Sequence, residues 1–209
     1  SSVPIVLKSK DKGLTEIRGE IVMAKSTLTR LNKKYTKEGK ALLANTRNAA
    51  AGSVRQLDSR LTAERSLDFF AWDIAQSPKD LSSHSDEHKY LVELGFLVAP
   101  FEKVCKNLED VEKTILEIEG KRESLDYGTD GVVVQVNQLS LHNTLGIVGK
   151  APRYAIAYKY PAEQATTTVT DISVQVGRTG VLTPLAHFVP TKVAGSTVSK
   201  ATLHNIDQI

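Results

Sequence analysis

Three charged side chains stand at the ends of predicted β-strands, where side chains of different strands can converge. Glu20 closes one strand, Asp130 opens a second, and Lys159 ends a third. Carboxylates accept hydrogen bonds from ribose hydroxyls or hold a hydrated Mg²⁺, and a lysine stabilises phosphate charge. Such a set suits chemistry on the phosphate and ribose of a nucleotide. Spacing alone equally allows Glu20 and Lys159 to extend from strand ends into water.

Alternating strands and helices, rather than repeats, must position these side chains. Four aliphatic residues from Leu108 to Ile118 recur at helical spacing behind Asn107, which predicts a capped helix with its apolar stripe against a sheet. The strands that meet Asp130 and Lys159 carry almost no other charge, which predicts burial on both faces. The predicted elements are strand 14–21, a helix capped by Ser26 and running to Tyr35, helix 48–56, strand 67–74, two helices with the second after Asn107, and strands 132–136 and 154–159.

A different composition begins near residue 165, where threonine and valine dominate. Strands are predicted over residues 170–176, 181–189 and 196–198, with glycine-containing turns between them. This is the pattern of a small β-barrel, and a closed barrel of this kind needs about five strands. The chain is therefore expected to provide only the first part of the barrel.

Charge is distributed unevenly along the 209 residues. The net charge of +3 is made up of +8 in residues 1–60, −8 in residues 61–130 and +3 in residues 131–209. The basic first part is typical of a polyanion-binding face, although the lysines of residues 33–40 equally suit a solvated helix end. No apolar run reaches the roughly 18 residues that a membrane span requires, so no membrane partner is expected.

Cysteine and histidine give little support for a metal centre. The single cysteine, Cys105, excludes an internal disulfide and a four-cysteine zinc site, which makes a reducing cytoplasm the expected compartment. Only His84 and His88 among the five histidines are four residues apart, and acidic residues flank them. We expect no zinc there.

The most specific motif lies at residues 44–57, ANTRNAAAGSVRQL. Its alanines and glycine allow a helix to pack closely on a neighbour, with Arg47 before the alanines and Arg55 two turns further on. The segment resembles the RNAAAGSxRQL signature of bacterial NAD-dependent DNA ligases. The same family is matched, in the same order, by RGE at 18–20, LDFF at 67–70, DGVV at 130–133, KAPRYAIAYK at 150–159, VGRTG at 176–180 and ATLHN at 201–205.

This resemblance implies an α+β fold with mainly antiparallel sheets and flanking helices. Residues 1–163 resemble the C-terminal part of an adenylation domain, which has the nucleotidyltransferase (ATP-grasp-like) fold, and residues 164–209 resemble the start of an OB-fold barrel. The implied enzyme seals nicks in duplex DNA during replication and repair. A lysine is adenylated by NAD, AMP passes to the 5′-phosphate, and the 3′-hydroxyl displaces AMP. The implied cofactors are NAD and Mg²⁺, with zinc in a segment of the family that these residues do not include.

The resemblance also implies roles for individual residues. Glu20 accepts hydrogen bonds from the AMP ribose, and Lys159 contacts the α-phosphate. Asp130 holds a water bound to Mg²⁺, and Arg178 contacts DNA phosphate from the barrel. A further group of arginines contacts DNA or orients the reacting phosphates, with structural salt bridges as the alternative: Arg47, Arg55 and Arg122.

Two departures from the family pattern affect the expected activity. The family has a second lysine five residues after the aspartate of DGVV, and here Gln135 occupies that position. Glutamine hydrogen-bonds an adenine edge or a phosphate oxygen without adding charge, so we expect weaker nucleotide binding or a slower first step. The Lys-x-Asp-Gly motif of the nucleophile is absent from the 209 residues. We interpret the chain as an internal fragment that neither self-adenylates nor seals nicks alone.

Two alternatives remain beside the ligase interpretation. One is another covalent nucleotidyltransferase, such as an ATP-dependent ligase or a capping enzyme, against which the alanine-rich motif argues. The other is a catalytically inactive module derived from a ligase, which would bind nucleic acid with strong salt dependence and no nucleotide requirement. The expected partners are nicked duplex DNA and NAD or AMP, with the protein acting as a monomer.

Overall fold

A computed structural model describes residues 2–193 and 195–204. Contacts within the chain separate a first unit, which ends at Tyr160, from a second that begins at Pro161. The first unit contains β1 (Glu16–Val22), α1 (Lys25–Lys37), α2 (Thr46–Val54), α3 (Ser59–Glu64), β2 (Asp68–Gln76), α4 (His84–Leu94), α5 (Leu108–Lys121), β3 (Gly131–Gln135), α6 (Leu139–Leu145), β4 (Ile147–Val148), β5 (Ala151–Pro152) and β6 (Ala155–Lys159). The second contains β7 (Val169–Val176), β8 (Leu182–Val193) and β9 (Ser196–Thr202).

The sheets are small and antiparallel. In the first unit β1 pairs with β2, β3 with β6, and β4 with β5, while the second unit is a meander in the order β7-β8-β9. The predicted mixture of helices and antiparallel sheets is therefore confirmed. Three strands were predicted in the second unit and three are observed among its described residues, although β8 and β9 both extend several residues beyond the predicted ends.

Two apolar clusters hold the first unit together. In one of them α4 packs on β2, and its buried residues are Ala71, Ile74, Tyr90, Leu91 and Leu94. In the other α1 packs on α2, and its buried residues are Met23, Leu31, Ala49 and Ala50. Ala49 and Ala50 pack as the alanine-rich motif predicted, whereas Ala51 is exposed and a Cβ atom at Gly52 would have nothing within 4 Å. The predicted packing role is therefore confirmed for these two alanines and wrong for the glycine.

The N-terminus of α1 is capped from a distant part of the chain. Ser26 was predicted to be the N-cap, but the helix already begins at Lys25 and its own N-cap residue, Ala24, makes no side-chain bond. The Asp126 carboxylate accepts a hydrogen bond from the Ser26 backbone N at 2.8 Å and another from Ser26 Oγ at 2.5 Å. The Asp126 carbonyl also accepts from the Lys25 backbone N at 2.6 Å. A carboxylate from the segment after α5 thus replaces the local serine cap.

Burial on both faces of β3 and β6 was predicted, and this was wrong. Val133 is 67% exposed and Ile156 is 69% exposed. The two strands form a sheet of their own, and α5 contacts β3. Among the described residues, the low charge of β3 and β6 therefore does not indicate that they are central strands of a larger sheet.

The helices were predicted only in part. Asn107 caps α5 as predicted, with its side chain accepting from the Asp110 backbone N at 2.8 Å. Leu108, however, is 79% exposed, so the predicted stripe covers the sheet only from Val111 onward. Helices α3 and α6 were not predicted. No helix in the described part of the chain combines the length and the apolar character that crossing a membrane requires.

Replacement of Asp126 by alanine should lower the free energy of unfolding, since α1 would lose its cap. The hydrogen bonds from Ser26 hold the pKa of Asp126 below its usual value of 3.8. The stabilisation is therefore complete above pH 3.8 and is lost as the pH falls through the lower pKa of the folded state. Urea unfolding of parent and Asp126→Ala at pH 7 and at successively lower pH measures this difference.

The matched control is Asp80→Ala, which removes an exposed carboxylate that has no partner among the described residues. It should leave the unfolding free energy equal to that of the parent at every pH of the series. Equal stability of Asp126→Ala and the parent at pH 7, or a difference that persists unchanged in acid, would contradict this assignment of the cap.

Candidate active site

Asp130 and Lys159 form an ion pair at adjoining ends of β3 and β6. Lys159 Nζ lies 3.1 Å from both carboxylate oxygens of Asp130. The strand register places Gly131 opposite Lys159, and the Tyr160 backbone N donates to the Asp130 carbonyl at 3.0 Å. The side chain of Asp130 is 70% exposed and that of Lys159 is 63% exposed, so both can also contact a bound ligand.

The charge state of Asp130 follows from its cations. The hydrogen bond from Lys159 is the main influence that holds the pKa of Asp130 below its usual value, and the charge of Arg47 acts in the same direction. Asp130 is therefore ionised at neutral pH. An ionised Asp130 orients the Lys159 ammonium group while leaving one of its three N–H donors for another acceptor.

Gly131 allows the two strands to approach at this point. A Cβ atom at Gly131 would collide with the Tyr158 carbonyl oxygen and would lie 3.0 Å from the Lys159 Cα. Only a residue without a Cβ fits between Asp130 and the rest of β3 in this register. The glycine of the DGVV motif is thus required by backbone packing.

Arg47 acts on the carboxylate of the pair, and Arg122 contacts Tyr160, the residue after Lys159. Arg47 is the second residue of α2, and Gly128 lies beside the first, since a Cβ atom at Gly128 would be 3.7 Å from Thr46 Oγ1. The Arg122 guanidinium carbon lies 5.6 Å from the centre of the Tyr160 ring, a cation–π contact. Within residues 2–193 and 195–204 neither arginine forms an ion pair, so the structural salt bridges considered as an alternative are not observed there.

Glu20 is connected to this site through aromatic packing. It pairs with Phe70 across the β1–β2 ladder, and the Phe70 ring lies 5.1 Å from the ring of Tyr127. Tyr127 belongs to the segment that leads into Asp130. The Glu20 side chain is exposed and has no hydrogen-bond or ion-pair partner in the described part of the chain, so it is available to a ligand.

Two predicted site residues of the first unit lie away from the ion pair, and a third predicted residue belongs to the second unit. Gln135 is on the same face of the β3–β6 pair as Lys159, but four residues further along β3, a distance of about 13 Å. Arg55 follows α2 as its C-cap, about 12 Å along the helix axis from Arg47. Arg178 belongs to the second unit, where it is exposed in the turn between β7 and β8.

Two buried polar groups at the site were not predicted from the sequence. The Thr129 Oγ1 and Tyr160 hydroxyl atoms are buried and have no hydrogen-bond partner among the described residues. Burial raises the pKa of the Tyr160 hydroxyl. Thr129 directly precedes Asp130, and Tyr160 directly follows Lys159. Only this adjacency in the sequence could have indicated that the two residues lie at the site.

An exposed aspartate–lysine pair, with the charge of Arg47 acting on the same carboxylate, has charged groups of the kind that contact nucleotide phosphates. Residues 1–163 match the family model of the NAD-dependent DNA ligase adenylation domain, and residues 166–209 match that of the NAD-dependent DNA ligase OB-fold domain. The chain therefore belongs to the NAD-dependent DNA ligase family.

Individual relatives agree with this family assignment. The proteins named DNA ligase from Acetivibrio thermocellus, Caldicellulosiruptor saccharolyticus and Clostridioides difficile are 47%, 46% and 45% identical to the chain. The alignments cover 100%, 98% and 98% of this chain, but only 31%, 30% and 31% of the relatives. The chain thus spans just under a third of the length of the curated relatives that it matches.

Gly131→Ala should destabilise the first unit by about 1–3 kcal/mol, because the new Cβ would be forced onto the Tyr158 carbonyl oxygen. Gly120→Ala is the matched control. Gly120 lies within α5 with nothing within 4 Å of its Cβ position, so alanine there should raise stability by up to about 1 kcal/mol. Urea unfolding of both variants measures the difference. Unchanged or increased stability of Gly131→Ala would contradict the close approach of β3 and β6.

Proposed function

We propose that this chain is part of an enzyme that seals nicks in duplex DNA with NAD as its source of AMP. The observation that carries the proposal is the exposed Asp130–Lys159 pair, with Arg47 acting on the same carboxylate, inside the segment that matches the adenylation domain. The proposed reaction consists of three phosphoryl-type transfers. A lysine takes AMP from NAD and releases nicotinamide mononucleotide, the 5′-phosphate of the nick takes AMP, and the 3′-hydroxyl then displaces it.

Lys159 is the proposed contact of the α-phosphate. Its ammonium group is held by Asp130 and keeps a donor free, so a phosphate oxygen can bind without reorganisation of the side chain. Negative charge that develops on that oxygen during transfer would be stabilised by the cation. Such positioned charge is the main contribution that a protein makes to phosphoryl transfer.

Glu20 is the proposed contact of the AMP ribose. Its carboxylate is exposed and without a partner in the described residues, so its oxygens can accept hydrogen bonds from the hydroxyls of the sugar. Gln135 shares a strand-pair face with Lys159 at about 13 Å. Its amide can reach either the adenine edge or another phosphate oxygen of a ligand that lies along this face.

Asp130 fits the role proposed for it toward Mg²⁺. Magnesium in nucleotide sites is held by one or two carboxylates, by phosphates and by several waters. The Asp130 carboxylate is ionised and 70% exposed, while Lys159 engages both of its oxygens. These features suit contact with the ion through a water. The ion would supply further charge stabilisation at the phosphates.

DNA contacts are proposed for both parts of the chain. Arg47, Arg55 and Arg122 would contact phosphates of the DNA or the reacting nucleotide. Residues 164–209 would form the first strands of the OB-fold barrel; what supports this is the match to the OB-fold family model and the antiparallel order β7-β8-β9. Arg178 would contact the DNA backbone from the exposed β7–β8 turn.

The test transplants this chain into a complete relative. Residues 1–209 replace the matching segment of the Acetivibrio thermocellus DNA ligase, and sealing of a nicked duplex is measured with NAD. Lys159→Ala should reduce the sealing rate by about 100-fold or more, because a charged donor to the transition state is lost. Lys150→Ala, which removes another exposed lysine, should seal at nearly the parent rate.

Equal sealing rates for Lys159→Ala and Lys150→Ala would contradict the role given to Lys159. A folded parent chimera that binds nicked DNA without sealing it would favour the inactive binding module. Sealing that requires ATP instead of NAD would favour an ATP-dependent ligase.

Gln135→Lys in the same chimera should accelerate adenylation by NAD severalfold, since it adds a cation on the face that carries Lys159. Gln175→Lys adds the same charge in β7 of the second unit and should leave that rate unchanged. Quenched-flow formation of the AMP–protein adduct measures both. No gain in rate or in nucleotide affinity for Gln135→Lys would remove the idea that Gln135 weakens the first step.

A further inference from the structure

One histidine and two carboxylates meet between β2 and α4, apart from the residues of the proposed ligase site. Asp73 comes from β2, and His84 and Glu87 come from the first two turns of α4. Each offers one ligand atom, and these three atoms lie within 4.8 Å of one another. Glu87 is only 5% exposed, while the other two residues are half-buried. Two carboxylates and an imidazole thus converge in a largely solvent-shielded place.

The two carboxylates of this cluster have few partners, among the described residues, that could balance their negative charge. Within the described residues, Glu87 has one side-chain hydrogen-bond partner, His84, whose Nδ1 lies 2.8 Å from Glu87 Oε2. Asp73 has one, an Arg18 guanidinium nitrogen at 3.5 Å, the outer limit of a hydrogen bond. An ionised carboxylate offers about four acceptor positions, so most positions here are unfilled. Buried carboxylates are ordinarily paired or bound to a metal.

His88 does not add a fourth ligand. Its ring lies 4.3 Å from the ring of His84, but both of its nitrogens are engaged. Its Nε2 is hydrogen-bonded to the Trp72 carbonyl at 2.9 Å, and its Nδ1 contacts the Glu102 carboxylate. His88 therefore packs beside the cluster, with its ring edge-on to the ring of His84.

We propose that Asp73, His84 and Glu87 form a binding site for a divalent transition-metal cation, with zinc as the best match. Imidazole together with carboxylate is a ligand set of zinc and its first-row neighbours, whereas Mg²⁺ and Ca²⁺ prefer oxygen alone. Three protein ligands leave a position for water in a tetrahedral shell.

The ligand distances are close to those of a metal shell. Metal–ligand bonds of about 2.0–2.2 Å place ligand atoms roughly 3.0–3.6 Å apart. The His84–Glu87 contact of 2.8 Å nearly has this spacing already. The Asp73 ligand atom lies within 4.8 Å of the other two, and its 23% exposed side chain has room to rotate toward them.

A metal at this place would join the two elements of one apolar cluster. Asp73 follows the buried Ala71 on β2, and Glu87 precedes the buried Leu91 on α4. A cation that binds only the folded arrangement stabilises it by mass action. The site is thus a structural cross-link with one open coordination position, and its existence does not depend on the proposed ligase function.

The test uses the purified chain and Zn²⁺ as the probe, with equilibrium dialysis, elemental analysis and thermal melting. The parent should bind one zinc per chain and melt at a higher temperature in its presence. Asp73→Asn and Glu87→Gln should each weaken zinc binding on the order of tenfold or more and abolish the shift in melting temperature. The control Glu93→Gln, at an exposed carboxylate of α4, should bind zinc like the parent.

Two results would overturn the site. One is a parent chain that binds no zinc and shows no melting shift. The other is zinc binding that survives both Asp73→Asn and Glu87→Gln, which would place the metal elsewhere. Because Glu87 is buried, its variant is checked for folding by melting without zinc, and the more exposed Asp73→Asn decides the outcome if Glu87→Gln is unfolded.

Discussion

One short segment, residues 125–130, constrains most of the first unit. Its Asp126 closes the N-terminus of α1, its Tyr127 packs on β2, and its Asp130 pairs with Lys159 at the end of β6. Each contact is modest, and none repeats another. Together these contacts fix the positions of α1, β2 and β6 around the segment. The charged groups of the site lie side by side only in this arrangement. The placement of the site is therefore a property of this segment more than of any one sheet.

The predictability of the fold depended on how local each signal was. The cap at Asn107 and the strands β3 and β6 were predicted because propensity and periodicity act within a few residues. The true cap of α1 was missed because its carboxylate comes from 100 residues further along the chain. The exposure of Val133 was missed for a related reason. The composition of a strand does not reveal how many other strands or helices will pack against it.

The candidate sites show the same division. Asp130 and Lys159 were singled out by their position at strand ends and by motif, and the structure places them in contact, while their catalytic roles remain predictions. The cluster of Asp73, His84 and Glu87 was not predicted from spacing, because only His84 and Glu87 share a helix and the third member, Asp73, lies on β2. Spacing along the chain reveals only partners that share a helix face, whereas sites are built from elements that pack together.

The central claim is that this chain supplies charged groups that position and stabilise a nucleotide but no lysine that becomes adenylated. The most direct measurement is the intact mass of the 209-residue chain after incubation with NAD and Mg²⁺. We expect the unmodified mass, because the Lys-x-Asp-Gly motif is absent from these residues. A covalent AMP adduct at stoichiometric yield on the chain would contradict the claim and would require another residue of the chain to be the nucleophile.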